Sequence, residues 1–462
     1  MQLSQPVIIA CIFLLLVPLW VLLRRDFIKG FAYGVFLCVL MPTYLRISLP
    51  GGLPQLTIQR LVLISMFVFW LGRTSERRPV AETPLLPQLC FWAAVSFVSL
   101  LLTSITFSTS FKRFLDFVVE IYLFYLLLST SLRNADDAFL ILRAAWLGVS
   151  LVAVLAVLER YTGVNPVYWL SGEEFGGRHD IVATYQHRIL LGAGMAMALP
   201  LAFGFFGSTY AGAPRRLYLW ASIALIIAAS YFAQSRGPWI AAILAATTLI
   251  FSATRFIRNK VLLLGVLALL ALVLRPGVWE TLSDRVSSSA DSQTFKGGTL
   301  QYRLELWKVA WAQVTKSSRT LFFGYGPGCG SETEIDWNLS YRGQQYEISS
   351  WDNQFAYDLF QSGLFGLAAS FALYGSVLLL LYRSSRLAEP ANRDLILCLF
   401  ASALAMVFMM TNVLIFAKPL YYLLWTVVAT APVLASTTVQ EAEESHILES
   451  DLEVSAPARG EA

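Results

Sequence analysis

Charged residues are scarce in this chain. Lys, Arg, Asp and Glu make up 14% of the 462 residues, whereas about 25% is usual for a soluble globular domain. Hydrophobic residues make up 57%, and they occur in blocks close to the roughly 20 residues that cross a bilayer as a helix. The shortage of charge therefore excludes an ordinary soluble domain and indicates a polytopic membrane protein.

Cysteine and histidine are also rare. Four of the five cysteines lie in apolar blocks and only Cys329 lies outside them, so no intramolecular disulfide is predicted. The three histidines form no cluster with the cysteines, and no HExxH motif occurs, so we expect neither a metal ion nor another cofactor. The net charge of +4 is small and spread along the chain, which argues against a nucleic-acid partner.

The chain lacks the alternating pattern of a membrane β-barrel. In a bilayer core every backbone N–H and C=O has to be paired within the protein, which leaves a helical bundle. We therefore expect an all-α polytopic membrane protein with about 12–13 transmembrane helices. The candidate segments are 7–23, 28–46, 57–72, 86–105, 114–131, 138–158, 189–206, 217–234, 238–254, 261–274, 356–382, 394–412 and 419–435.

The positive residues of the short loops predict the orientation, because Lys and Arg favour the cytoplasmic side. They occur in alternate loops, for example at Arg24, Arg133 and Arg215, which places the remaining loops outside. The chain then divides into N-terminal helices (1–158), an external loop (159–188), central helices (189–274), a large external loop (275–355), C-terminal helices (356–435) and an acidic, disordered cytoplasmic tail (436–462).

The large external loop is the first place to look for function, because loops of about 80 residues are uncommon in compact proteins and often functional. Its segment LQYRLELWKVAWAQV has apolar residues at helical spacing and carries Arg303, which predicts an amphipathic helix. The run FFGYGPGCGSE follows, with Gly324, Gly326 and Gly328. These glycines permit either a tight turn back to the membrane or a close approach of the backbone to a ligand.

The stretch WDNQFAYDLFQSGLFGL ends this loop and places Asp352 and Asn353 at the start of an apolar segment. The carboxylate of Asp352 is a candidate general base, and Asn353 is a candidate to orient that carboxylate or an acceptor hydroxyl. An Asp before an apolar run also caps a helix by accepting backbone N–H bonds. The sequence leaves both interpretations of Asp352 open.

Four arginines belong to the outward side: Arg178, Arg188, Arg236 and Arg303. A single one is usually an anchor at the membrane interface. Guanidinium groups bind phosphate oxygens in a bidentate manner, so several of them facing one cavity would suit a diphosphate. His187 is an alternative base, because the ordinary pKa of histidine is about 6.5.

Three charged residues recur inside an apolar segment. Lys112, Asp116 and Glu120 are spaced at i, i+4 and i+8, and therefore lie on one helix face. Charges in such segments mark function or mutual pairing. We expect Lys112 and Asp116 to form a structural pair, whereas the sequence assigns no partner to Glu120.

The order of the motifs resembles a known family. AQSRGPW, then YRLELWKVAW followed by LFFGYGPG, and then DNQFAYDLFQSGLFGL resemble the O-antigen ligase/polymerase family, and GRHDIVATYQHRILLGAG resembles a loop of the same proteins. The motifs cover about residues 160–385. The resemblance implies a metal-independent glycosyltransferase of GT-C-like architecture in the bacterial inner membrane. Its active site faces the periplasm, and its glycan donor is linked to undecaprenyl diphosphate.

For the site, the resemblance implies a diphosphate held by Arg178, Arg188, Arg236 and Arg303, with Arg236, Asp352 and Asn353 as catalytic residues. Ligases of the family typically carry His where this chain has Asp352, so polymerisation of lipid-linked repeat units into O-antigen or exopolysaccharide is favoured over ligation to lipid A-core. The implied partners are a lipid-linked glycan acceptor, membrane lipids and a chain-length regulator.

A transporter or flippase of lipid-linked sugars is the main alternative from another class. It would share the helix count and the basic loops. Transporters, however, tend to have repeated halves with interrupted helices and polar residues near the midplane. We find no internal repeat, and the polar residues gather at one membrane face, which favours an enzyme.

Overall fold

The computed structural model describes residues 5–47, 55–73, 77–165, 181–207, 215–274, 295–331, 338–341, 344–347, 351–415 and 418–454. These residues are almost wholly helical. Seven helices are long and apolar enough to cross a membrane, and five shorter helices in the described part are apolar as well. The predicted all-α polytopic membrane protein is therefore confirmed.

The N-terminal part contains seven of the described helices. They are α1 (Gln5–Arg25), α2 (Phe27–Leu40), α3 (Ile58–Leu71), α4 (Leu86–Leu101), α5 (Phe107–Phe117), α6 (Leu123–Ser131) and α7 (Ala135–Thr162). A π-turn, Val118–Tyr122, joins α5 to α6, so that the two form one continuous rod. A short antiparallel hairpin of β1 (Arg46–Ile47) and β2 (Leu56–Thr57) lies between α2 and α3.

The described helices of the second part include those of the large loop. They are α8 (Arg188–Gly204), α9 (Arg216–Phe232), α10 (Arg236–Ser252), α11 (Arg255–Leu274), α12 (Phe295–Val314), α13 (Ser318–Phe323), α14 (Gln354–Leu387), α15 (Pro390–Met410) and α16 (Lys418–Val454). Each of the thirteen predicted segments coincides with one helical rod. Helix α12 is the predicted helix of the loop, and β3 (Asn338–Tyr341) pairs with β4 (Gln344–Glu347) in the same loop.

The last helix extends further than expected. The segment from 436 onward was predicted to be disordered, but α16 continues as a helix to Val454. The sequence there, QEAEESHILESDLEV, contains five Glu and two Leu, which are strong helix formers. Composition therefore favours a helix over residues 436–454, and the disorder of the tail stays a prediction.

Helices α8, α15 and the apolar part of α16 form the centre of the bundle. In the apolar 18-residue stretch of each of these helices, 72–89% is buried. Small residues allow α8 to approach its neighbours closely. A Cβ on Gly192 would lie 2.6 Å from Cγ of Pro238 on α10, and one on Gly204 would lie 2.7 Å from Cδ1 of Leu395 on α15. Such small residues are typical of helix interfaces in membranes, because van der Waals contact replaces the hydrophobic driving force.

Helix α14 is interrupted near its start. Gly363 has φ 65° and ψ −161°, which breaks the helical geometry. The carbonyls of Phe360 and Gln361 accept the backbone N–H groups of Tyr325 (3.1 Å) and Gly326 (2.9 Å). Backbone carbonyls in an apolar environment need hydrogen-bond donors from the protein. The segment that follows α13 therefore donates to these two carbonyls at the interruption of α14.

The two segments approach each other at a pair of glycines. Gly324 has φ 70° and ψ −160°, nearly the same conformation as Gly363, and this region is essentially restricted to glycine. A Cβ on Gly324 would lie 2.4 Å from the carbonyl carbon of Gln361, and one on Gly363 would lie 2.3 Å from that of Phe322. Backbone conformation and space both require glycine at these positions.

We predict that Gly363→Ala destabilises the folded protein by more than the roughly 1–3 kcal/mol of the backbone conformation alone, because the new methyl group also overlaps main-chain atoms. The measurement is thermal unfolding of the purified protein in detergent, with size-exclusion chromatography to detect aggregation. Gly375→Ala is the matched control, because Gly375 lies on the same helix and a Cβ added there would have nothing within 4 Å. Equal melting temperatures for the two variants would contradict the prediction.

Candidate functional site

A cavity of about 490 Å³ lies at the start of α14 and α16. Parts of α4 and the α5–α6 rod, the glycine segment after α13, the residue before α8 and residues 413–415 after α15 complete its wall. The wall contains seven residues with charged, imidazole or amide side chains: Arg113, Asp116, His187, Asp352, Gln354, Gln361 and Lys418. It also contains six aromatic residues: Trp92, Phe114, Phe117, Trp351, Tyr357 and Tyr421.

Asp352 and Asn353 have different environments. Asn353 is the cap of α14: its Oδ1 accepts the backbone N–H of Ala356 at 3.0 Å, and its Nδ2 donates to the carbonyl of Thr411 at 2.8 Å. Asp352 lines the cavity instead. Its carboxylate lies 3.6 Å from the guanidinium of Arg303 on α12, and both side chains are about three-quarters buried. The cap that the sequence offered as an alternative role for Asp352 is therefore provided by its neighbour.

The four arginines do not share one environment. Arg303 is joined to the cavity through Asp352. Arg188 is the exposed first residue of α8, and Arg236 is the partly buried first residue of α10. Neither is among the described residues that line the cavity. Arg178 lies outside the described residues, so its expected position in the site stays a prediction.

Arg236 is nevertheless close in the fold to the cavity wall. A Cβ on the adjacent Gly237 would lie 3.5 Å from Met409 and 3.9 Å from Asn412. The chain continues from there into Val413, which lines the cavity. The start of α10 thus packs on the segment that forms one side of the site.

His187 lines the cavity and also caps α8. Its Nδ1 accepts the backbone N–H of Ile189 at 3.3 Å. The expected role of His187 as an alternative base stays a prediction.

The glycine-rich segment packs against the protein itself. Gly324, Gly326 and Gly328 all have positive φ, at 70°, 108° and 83°. A Cβ would lie 2.0 Å from Oγ1 of Thr103 at Gly326, and 2.4 Å from Cγ of Arg113 at Gly328. The turn that these glycines were expected to permit is therefore present, and glycine is needed for close contact with neighbouring segments.

The same segment also reaches the cavity. Pro327, Gly328 and Gly330 line it, and the backbone N–H of Gly328 donates to Oε1 of Gln361 at 3.2 Å. Cys329, between them, is fully buried, and burial raises the pKa of its thiol well above the ordinary value. The thiol therefore stays protonated and unreactive at neutral pH.

Three polar residues of α14 form one hydrogen-bonded group around a buried carboxylate. Asp358 accepts from Nε2 of Gln354 at 2.9 Å, from Nε2 of Gln361 at 3.3 Å and from Oγ of Ser370 at 2.7 Å. Gln354 and Gln361 line the cavity. Asp358 thus fixes the orientation of two amides that face a ligand.

A set of paired charges at one side of the cavity was not expected from the sequence. Arg60 on α3 forms ion pairs with Asp116 and Glu120, and Lys418 forms an ion pair with Glu120. We call these four residues the ion-pair cluster. It supplies the partners that Glu120 lacked, and Asp116 pairs with Arg60 where a pair with Lys112 was expected.

Two cations of the wall, Arg113 and Lys418, were not predicted at all. One signal in the sequence would have indicated them: both lie at the starts of apolar segments that the loop charges predict to face outward, where Lys and Arg are less frequent. The pairing of Lys418 with Glu120 spans 298 positions, and no local pattern reveals it. In the part of the chain that the structure describes, no group of three or more His, Cys, Asp and Glu is placed to hold a metal ion.

We predict that Arg60→Met destabilises the protein by about 3 kcal/mol or more, because it leaves two largely buried carboxylates with one cation. Adding Asp116→Asn to the same chain should recover most of the loss, because Glu120 and Lys418 then remain as one balanced pair. Thermal unfolding in detergent measures both effects. The control is Lys29→Met, which breaks the exposed pair with Asp26 and should cost less than about 1 kcal/mol. No difference between the two single variants would show that the cluster contributes nothing.

Comparison with known proteins gives a match to a family. Residues 220–371 match the sequence model of a family described as O-antigen ligase. The matched region runs from α9 to the first half of α14 and includes Arg236, Arg303, the glycine segment, Asp352 and Asn353. No curated protein matches the chain.

The matched region contains the motifs whose order predicted a relationship, and it lies in an all-α bundle with helices that can cross a membrane. The match therefore supports the assignment of this chain to the O-antigen ligase/polymerase family, whose members are glycosyltransferase-like membrane enzymes.

Proposed function

We propose that this protein polymerises undecaprenyl-diphosphate-linked oligosaccharide repeat units into O-antigen or exopolysaccharide at the outer face of the bacterial cytoplasmic membrane. The observation that carries the proposal is the position of the Asp352 carboxylate. It lines the cavity beside Arg303, while Asn353 performs the capping of α14. A carboxylate that is not needed for the helix start is available for chemistry.

The reaction joins an acceptor hydroxyl to the anomeric carbon of the donor sugar. A new C–O bond forms at that carbon, and the bond from it to the diphosphate oxygen breaks. The hydroxyl proton passes to Asp352, and undecaprenyl diphosphate leaves with the electron pair of the broken bond. General-base assistance of this kind is typically worth about 10²–10⁴ in rate.

Positive charge is needed where the leaving diphosphate develops its negative charge. Arg303 lies beside Asp352, and the guanidinium-bearing residue Arg113 lines the cavity. The family resemblance adds Arg178, Arg188 and Arg236 to this task. Guanidinium groups held in a site from which water is partly excluded stabilise such charge strongly, so the proposed mechanism uses no metal ion.

Two alternatives remain specific enough to test. The description of the matching family favours ligation of the glycan to lipid A-core, whereas Asp352 in place of the His typical of ligases favours polymerisation.

The interruption of α14 is a feature that transporters share. Here, however, the carbonyls of Phe360 and Gln361 are occupied by backbone N–H groups, which argues against their use in binding a transported ion.

We predict that Asp352→Ala and Asp352→Asn each lower the rate of glycan transfer by about 10²–10⁴, because both remove the general base. The measurement is the initial rate with purified protein and lipid-linked repeat unit extracted from a strain that lacks the gene. Glu305→Ala is the matched control, since Glu305 is a carboxylate of α12 paired with Lys308. An Asp352→Asn enzyme as fast as the wild type would remove Asp352 from the mechanism.

Asn353 provides a second test, because a cap and a catalytic amide respond differently to serine. Asn353→Ala should cost about 1 kcal/mol of stability through loss of the cap, whereas Asn353→Ser keeps a capping oxygen. We expect the serine variant to transfer glycan at close to the wild-type rate. A folded serine variant with a rate lowered about 100-fold would instead make Asn353 a catalytic residue.

We predict a ladder of longer lipid-linked glycans when the lipid-linked repeat unit is the only substrate, because a polymerase uses it as both donor and acceptor. Products are separated by size on a gel or by mass spectrometry. Transfer that appears only after lipid A-core is added would identify a ligase. Movement of the intact lipid-linked unit across a proteoliposome membrane, without new glycosidic bonds, would identify a transporter.

A further inference from the structure

The cavity wall has a second charged region besides Asp352, which pairs with Arg303. Asp116 of the α5–α6 rod and Lys418 at the start of α16 both line the cavity and both belong to the ion-pair cluster. The cluster contains two cations and two carboxylates, so it carries no net charge. Its other two members, Arg60 and Glu120, lie behind the wall and hold Asp116 and Lys418 in place.

Both residues of the wall retain hydrogen-bonding capacity. A lysine ammonium has three N–H donors, and the described contacts of Lys418 use one of them, to Glu120. Asp116 accepts from Arg60 through Oδ1, and the described residues give Oδ2 no donor. The wall therefore presents donors and an acceptor whose positions are fixed by ion pairs.

Aromatic rings adjoin this pair. Trp92 stacks on Phe117 with ring centroids 4.8 Å apart, and Phe117 meets Tyr421 edge to face at 5.5 Å. All three rings line the cavity, as does the amide of Gln354. A sugar ring has apolar C–H faces and a rim of hydroxyl groups, each both a donor and an acceptor, so it complements aromatic surfaces that stand beside fixed polar groups.

The local helix geometry marks the same place. The rod widens into a π-turn over Val118–Tyr122, with Glu120 at its centre. Single π-turns within α-helices are rare and frequently occur at functional sites. The π-turn therefore contains Glu120, the residue whose carboxylate pairs with Lys418.

We propose that Asp116 and Lys418 bind neighbouring hydroxyl groups of a sugar residue of the glycan, and that they form a saccharide subsite separate from the diphosphate site. The proposal rests on the proposed function, because it takes a lipid-linked glycan as the substrate. A diphosphate would have to compete with Glu120 for Lys418 and lie against the Asp116 carboxylate. A neutral sugar only replaces water at both groups.

The test compares two ligands that differ only in the glycan. Binding of lipid-linked repeat unit and of undecaprenyl diphosphate to the full-length protein is measured by quenching of tryptophan fluorescence, since Trp92 and Trp351 line the cavity. The variants are Asp116→Asn, which keeps an oxygen for Arg60, and Lys418→Met. The control is Lys308→Met, which breaks an exposed ion pair on α12. Thermal unfolding checks that each variant is folded, and Asp116→Asn carries the test if Lys418→Met is not.

We expect the wild type and the Lys308→Met control to bind the glycan-bearing lipid at least about tenfold more tightly than undecaprenyl diphosphate. Both cluster variants should bring the two dissociation constants to within about threefold, with the value for undecaprenyl diphosphate unchanged. A wild type that binds both lipids equally, or variants that keep the tenfold ratio, would overturn the subsite. Weaker binding of undecaprenyl diphosphate by Lys418→Met would assign the cluster to the diphosphate instead.

Failure of this inference is distinct from failure of the proposed function. A wild type that polymerises glycan but binds both lipids equally retains the function and loses the subsite. A wild type that shows the tenfold ratio, loses it in both variants and yet makes no polymer retains the subsite and loses the function.

Discussion

Pairing of the backbone at the interruption of α14 is the interaction on which the site depends. Without the segment after α13, the carbonyls of Phe360 and Gln361 would lose the N–H partners that the structure gives them, at a cost that an apolar environment makes large. The same segment is tied to the end of α4, where the backbone N–H of Ser104 (2.9 Å) and the hydroxyl of Thr103 (3.2 Å) donate to the carbonyl of Tyr325. One set of hydrogen bonds thus docks the glycine segment and forms one side of the cavity.

The interruption also links the parts of the cavity wall to each other. Asp358 orients Gln354 and Gln361 and accepts from Ser370, which in turn accepts from the indole N–H of Trp92 at 3.1 Å. Gln361 reaches the glycine segment through Gly328. A change at any of these positions therefore moves both the amides and an aromatic ring of the wall, because buried polar networks fix the orientation of all their members together.

The sequence predicted the helices well because apolar length is a local property. The predicted segment 114–131 is shorter than the observed helix, which begins at Phe107. The first turns of this helix are polar, so hydropathy does not detect them. The sequence predicted only part of the site. Asp352 was found from its place before an apolar run, but two adjacent capping residues cannot be assigned without coordinates. The ion-pair cluster joins α3, the α5–α6 rod and α16, and its pairing is purely a tertiary property.

The size of the cavity bears on how a polymerase would work. About 490 Å³ is within the range of pockets that enclose one small ligand, and it cannot enclose a lipid together with a whole oligosaccharide. In the proposed function, recognition would then be confined to the diphosphate and the sugars next to the bond that forms. For a polymerase this restriction is a requirement, because the remainder of the glycan lengthens in every cycle while the groups at the reacting end stay the same. A wall that combines one carboxylate beside Arg303 with a neutral, aromatic-lined ion-pair cluster can meet that requirement without contacting the growing chain.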